Sequence, residues 1–211
     1  MRRIRYGMVG GGQGAFIGEV HRMAARLDDC YELVCGAFSG NPERSRQSGV
    51  ALGLDETRCY RDFDTMFSRE AALPEDERME CVVIVTPNNS HYAIAMLALE
   101  NGFHILSDKP ATATLDECLS LAETLADTDL LYGLTHTYTG YPMIREARER
   151  VAAGQLAPCA RLLWNTPRAG SASAKRTVTI PRRPGAPILP APAAAAAWAT
   201  SGCMPSTWPS L

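Results

Sequence analysis

Gly10-Gly11-Gly12-Gln13-Gly14-Ala15-Phe16-Ile17-Gly18 decides the fold. The stretch follows an apolar run at 4–9 and opens a segment of helical apolar spacing at 18–27, with Val20, Met23, Ala24 and Leu27 on one face. A glycine-rich corner between strand and helix is the setting in which such a pattern acts as a dinucleotide fingerprint. On that reading Gly10 permits a tight turn and Gly12 a close approach of the backbone to a pyrophosphate. Ala15 takes the small position where helix meets strand. The amides of the helix start, around Gln13, Gly14, Phe16 and Ile17, then face the phosphates with a favourable dipole.

Outward from this corner the chain alternates strand and helix signals up to about residue 156. Strands are expected at 31–38, 59–60, 81–85, 104–106 and 130–134, and helices at 92–100, 115–126 and 143–153, with Asp62 placed to cap a further helix. Cys-Val-Val-Ile-Val at 81–85 is uninterrupted and closed by Thr86-Pro87, which suits a strand buried on both faces. The charged connection at 68–80 is expected on the surface. Alternation of this kind requires crossovers, so the fold class is α/β with a doubly wound parallel sheet, a dinucleotide-binding domain spanning 1–156.

Ligands of such sheets lie at the carboxyl ends of the strands. Four places there carry candidate residues. The glycine corner is the first. After the second strand, Ser39 occupies the position where NAD sites carry an acid, and Arg44 and Arg46 follow; this leans toward NADP over NAD. Thr86, Pro87, Asn88, Ser90 and His91 follow the 81–85 strand and are expected near the nicotinamide half, although Ser90 and His91 serve equally well as caps or surface groups. Asp108 and Lys109 end the next strand, where an ammonium group is placed to polarise a substrate oxygen as hydride moves.

The 211 residues suffice for one such domain and a smaller appendage. A net charge of −2 offers no electrostatic reason for a nucleic-acid or anionic-membrane partner. No window approaches the roughly 20 apolar residues of a membrane span. The seven cysteines form no CxxC pair, and Cys35 and Cys81 lie in apolar runs; buried thiols in a reducing cytoplasm are expected, with no metal site.

Taken together, the GGGQGA corner, TPNNSH at 86–91, LENGFHILSDKPAT at 99–112 and LTHTYTGYPMIR at 134–145 resemble the Gfo/Idh/MocA family of NAD(P)-dependent oxidoreductases, with DKP where that family usually has EKP. The resemblance covers residues 4 to about 156. It implies a nicotinamide cofactor, NADP or NAD, a sugar or polyol substrate, and Lys109 in the active site. It also implies a second domain on an open antiparallel sheet, supplying a catalytic Asp and His. His136 and Tyr138 are open to a site role or to plain packing. A chain without the second domain would instead be a dinucleotide-binding module without turnover, and the oligomeric state stays open.

Residues 157–211 do not read as that second domain. Prolines crowd 181–192, 169–174 holds only Gly, Ala and Ser, and a poorly ordered tail is expected. Codon arithmetic suggests why. When the third base of each codon is joined to the first two of the next, Trp164-Asn165 forces Glu and the codons after it permit Tyr-Pro-Gln-Gly-Trp. Residues 184–192 permit Trp-Arg-Thr-Asp-Pro-Ala-Arg-Ser, and 197–208 permit Met-Gly-Asp-Ile-Gly-Val-His-Ala-Val-Asn-Leu. These strings resemble the family's second domain, so a slip of reading frame near 157–161 is expected.

Overall fold

A computed structural model describes residues 2–155 together with the short strands Leu162–Trp164 and Arg176–Val178. The chain divides into two compact units, the first ending at His136 and the second beginning at Thr137.

The first unit is a five-stranded sheet, every strand parallel to its neighbours. In chain order it runs β1 (Ile4–Gly10), α1 (Phe16–Arg26), β2 (Tyr31–Ala37), α2 (Pro42–Ala51), α3 (Phe63–Ala71), β3 (Cys81–Val85), α4 (His91–Glu100), β4 (His104–Asp108), α5 (Leu115–Ala126) and β5 (Tyr132–Thr135). The spatial order is β2-β1-β3-β4-β5. The chain leaves β1 toward one edge and returns to β3 on its other side, which opens a crevice between the carboxyl ends of β1 and β3. All five residues of β3 are buried, as its unbroken apolar run requires.

One face of the sheet carries Val9, Val82, Ile84 and Ile105 against Met66, Phe67, Ile94, Ala98, Phe103 and Leu121. The other carries Tyr6, Met8, Val83 and Val85, with Ile17 and Ala25 of α1 packed against them. Fully burying side chains of this size contributes roughly 1.5–3 kcal/mol each. Asp62 caps α3 by accepting from the Thr65 amide at 2.7 Å, as its position before the helix predicts. Thr114 and Glu117 close a reciprocal capping box on α5.

Three expectations are corrected. The segment at 59–60 is not a strand: after a 3₁₀ turn at Glu56–Arg58, Cys59 makes a single parallel bridge to Gly36 beside β2. The connection at 68–80 is not all surface. Glu70 and Met79 are wholly buried, and the Glu70 carboxylate accepts from the Arg58 guanidinium, the Tyr60 hydroxyl and the Met79 amide, so its charge is compensated inside. Finally, the apolar side of α1 faces outward, with Phe16, Met23 and Leu27 exposed and Val20 40% exposed. The helix seats its other side, where Gly18 is buried against Gly11 and Arg22 Nη1 donates to the Gly11 carbonyl at 2.7 Å. Backbone contact and a charge-assisted bond set the rotation of α1 against its hydrophobic periodicity.

Cys35 and Cys81 are buried free thiols whose pKa values burial pushes up, Cys81 to about 12, so both are unreactive near neutrality.

In the second unit Tyr138 and Tyr141 pack ring against ring, with centroids 6.0 Å apart, just ahead of α6 (Pro142–Ala152). β6 (Leu162–Trp164) and β7 (Arg176–Val178) pair antiparallel. The irregular tail expected beyond 157 otherwise lies outside the described residues. No described helix is long and apolar enough to cross a membrane, and no described cluster of His, Cys, Asp or Glu has the makings of a metal site.

Candidate functional site

A cleft of about 470 Å³ lies over the crevice, between the glycine corner, the end of β2 and the end of β3. Gly10, Gly11, Gly12, Gln13 and Ala15 form one wall, Ser39, Gly40, Arg44 and Ser48 a second, and Val85, Thr86, Pro87, Ser90 and Ile94 a third. Arg61 and Asp62, paired at 2.9 Å, and Phe63 complete it.

The corner is built so that only glycine fits. Gly10 has φ +83°, and a Cβ there would stand 2.9 Å from both the Val85 carbonyl oxygen and the Thr86 methyl. A Cβ on Gly12 would meet the Phe38 carbonyl oxygen and Ser48 Oγ at 2.8 Å. What Gly12 admits is therefore the neighbouring loop and α2. The tight helix–strand contact assigned to Ala15 belongs to Gly18, where a Cβ would sit 2.4 Å from the Gly11 Cα. Ala15 instead stands at the N-cap of α1.

The amides divide into two sets. Gly12 donates to the Phe38 carbonyl at 3.2 Å, Gln13 to Ser48 Oγ at 3.1 Å, and Ala15 to the Gly12 carbonyl at 3.0 Å. Those of Gly14, Phe16 and Ile17 donate to no described residue, and Gly14 (φ +81°) borders open space. Unspent amides at a helix start, beside a cleft walled by glycine, fit a diphosphate.

At the second wall Ser39 and Arg44 both line the cleft, and no carboxylate stands between Phe38 and Pro42. Arg46 does not take part, since its guanidinium is held by Glu43 at 2.7 Å and Glu56 at 2.9 Å. Two serines that sequence reasoning passed over hold this wall. Ser45 Oγ accepts from the Phe38 amide and donates to the Tyr60 carbonyl, and Ser48 Oγ accepts from Gln13 while donating to the Arg44 carbonyl. Their spacing of three along a helix with few apolar residues was the available signal.

At the third wall Ser90 Oγ lies 2.8 Å from both Thr86 Oγ1 and the Pro87 carbonyl. Asn88 is exposed in a 3₁₀ turn outside the cleft lining. His91 is buried beneath the loop, 1% exposed, and turned away from the cleft. Asp108 and Lys109 are not in the cleft lining either. The register pairs Ile84 with Ser107, so Lys109 and Thr86 leave adjacent strands at the same end. Lys109 is exposed, and its amide donates to Asp108 Oδ1 at 2.8 Å. On the other side of the sheet end, burial pushes the pKa of His21 down, with Asp108 opposing.

The family model described as the Gfo/Idh/MocA oxidoreductase family, NAD-binding Rossmann fold, matches residues 4–136. The chain belongs to this family. Among solved structures, a Sinorhizobium meliloti oxidoreductase is 53% identical, with a TM-score of 0.69, over 74% of this chain and 42% of that one. An inositol dehydrogenase homologue from Azotobacter vinelandii, crystallised with NADH and myo-inositol, is 42% identical with a TM-score of 0.71, over 74% of this chain and 41% of that one. An uncharacterized oxidoreductase of Bacillus subtilis is 35% identical over 154 residues, 72% of this chain and 39% of its own length. This Gfo/Idh/MocA chain thus spans about two-fifths of the length of the relatives it matches.

Proposed function

We propose that the chain is the dinucleotide-binding half of an oxidoreductase that moves hydride between a nicotinamide and a hydroxyl-bearing carbon of a sugar or polyol. The observation that carries this reading is the set of unspent amides at Gly14, Phe16 and Ile17, next in the chain to a cleft lined by Gly10, Gly11, Gly12, Gln13 and Ala15 that continues to Thr86 and Pro87. The nicotinamide supplies the hydride chemistry; the chain's own part is to hold and orient it. In this reading the glycine corner takes the diphosphate and Ser39 and Arg44 take the adenosine ribose. Thr86 and Pro87 border the nicotinamide half, with Asn88 at the loop's outer edge, and Asp108 sets the loop from which Lys109 reaches the substrate oxygen.

The absence of an acid after β2, with Arg44 on the wall, supports room for a 2′-phosphate. NADPH is then expected to bind at least as tightly as NADH, and Arg44→Glu to weaken NADPH about tenfold while sparing NADH, the size of one lost charge-assisted bond. Fluorescence titration with both nucleotides measures this.

A second reading, binding without turnover, is favoured by the tail, whose written frame lacks a Gly-Asp-Ile-Gly-x-His segment. Assay against sugars and inositols separates the two. Turnover supports the oxidoreductase, and binding alone supports the module. Failure to bind either nucleotide overturns both.

A further inference from the structure

His91 belongs to α4, yet its ring spans two loops. Nδ1 lies 2.7 Å from the Pro110 carbonyl oxygen and Nε2 lies 2.9 Å from the Thr86 carbonyl oxygen. We propose that His91 is a positioning residue, fixing the Lys109 loop against the Thr86 loop so that both meet the nicotinamide half of a bound dinucleotide. The inference rests on the reading that such a nucleotide fills the cleft.

The Lys109 loop is short of holds of its own. The Lys109 side chain is exposed, and its amide is satisfied by the adjacent Asp108. What pins the strap is a series of side chains on its carbonyls. Thr135 Oγ1 donates to the Ser107 oxygen at 3.1 Å and the Tyr132 hydroxyl to the Ala111 oxygen at 3.5 Å, both from β5. His91 makes the shortest contact, at the carbonyl next to Lys109, and alone among the three also touches the neighbouring loop. An N–H is the only ring group that bonds a carbonyl oxygen, so one ring proton secures one loop and two secure both. The ring itself is buried at 1% exposure, and losing it removes the link between the two carbonyls. The sequence pattern favours neither this role nor a cap; the two carbonyls do.

The test compares probes with and without the nicotinamide. His91→Phe keeps the ring volume and removes both nitrogens, while His91→Gln retains an N–H donor. NADPH and ADP-ribose bearing the same 2′-phosphate are titrated into wild type and both variants. His91→Phe is expected to weaken NADPH about tenfold, the scale of one lost hydrogen bond. ADP-ribose, which lacks the nicotinamide ring, is expected to bind unchanged, with His91→Gln recovering part of the NADPH loss. A parallel reading uses the two lysines, Lys109 and Lys175, reductively methylated with ¹³C in the wild-type protein. The Lys109 signal, assigned through Lys109→Arg, is expected to shift with NADPH and not with ADP-ribose. Equal weakening of both probes, or no weakening of NADPH, overturns the proposal. So does a Lys109 signal indifferent to NADPH, which decides the matter even if His91→Phe fails to fold. Wild type that binds neither probe instead removes the underlying reading.

Discussion

Gly11 and Gly18 touch backbone to backbone, and no side chain can be inserted between them without moving β1 or α1. A Cβ on Gly18 would stand 2.4 Å from the Gly11 Cα and 2.7 Å from its carbonyl oxygen, neither of which belongs to a flexible side chain. Gly18→Ala is therefore expected to cost about 1–3 kcal/mol, the range for overpacking, and to weaken nucleotide binding as the corner shifts. Urea denaturation with parallel NADPH titration checks it; an alanine variant as stable and as tight as wild type would show that α1 slides freely. Gly18 also marks what was legible. The strand-glycine-helix order located the corner, but counting glycines placed the close contact at Ala15 instead of Gly18. Spacing along the chain does not say which glycine faces another backbone and which faces a loop. Arg22, Ser45 and Ser48 were missed for the same reason, since their positions in the chain do not say which polar groups bond backbone.

Elements announced themselves when their signal was local and strong. The run at 81–85 is a strand buried throughout, and Asp62 caps α3, both as read. The outward face of α1 was illegible because amphipathicity gives a period and not a direction. At the far edge of the sheet a side chain joins β4 to the segment entering β5, beside the backbone bond from the Ile105 amide to the Leu131 carbonyl: the Leu131 amide donates to His104 Nδ1 at 3.0 Å. That nitrogen accepts only when it carries no proton. Burial lowers the pKa of His104 below its ordinary value of 6.5, with Glu80 opposing, and burial lowers that of His21 likewise, with Asp108 opposing. A base with a lowered folded pKa binds its proton more readily when unfolded. The stability it contributes is full above pH 6.5 and is lost as pH falls from there through the folded value. Denaturation midpoints are thus expected to fall as pH is lowered from neutrality through this window. His104→Asn, which offers an oxygen to Leu131 but does not titrate, is expected to show a shallower fall. Identical slopes in the two proteins would clear His104 of the effect.

On the scale of the whole molecule, the match to the family ends at residue 136 and the resemblance of motifs near 156, while the chain continues to 211. We propose that the continuation is read out of frame. The alternative is an ordinary tail rich in proline and alanine, and degenerate codons let many strings be fitted to such a tail. Three facts weigh against coincidence. The fitted strings all use one shift and keep chain order. Some of their residues are forced, Glu by Trp164-Asn165, Gly by Trp198-Ala199 and Ala by Met204-Pro205. The last string places a His-or-Tyr position, set by Cys203-Met204, where the family's Gly-Asp-Ile-Gly-x-His segment needs its histidine. Sequencing the encoding DNA is expected to show an open shifted frame through these codons, with an inserted or deleted base near residues 157–161. Restoring that base is expected to turn the codons for 197–208 into the Gly-Asp-Ile-Gly-x-His segment. A shifted frame interrupted by a stop, or one encoding unrelated residues, would leave the tail as this protein's own.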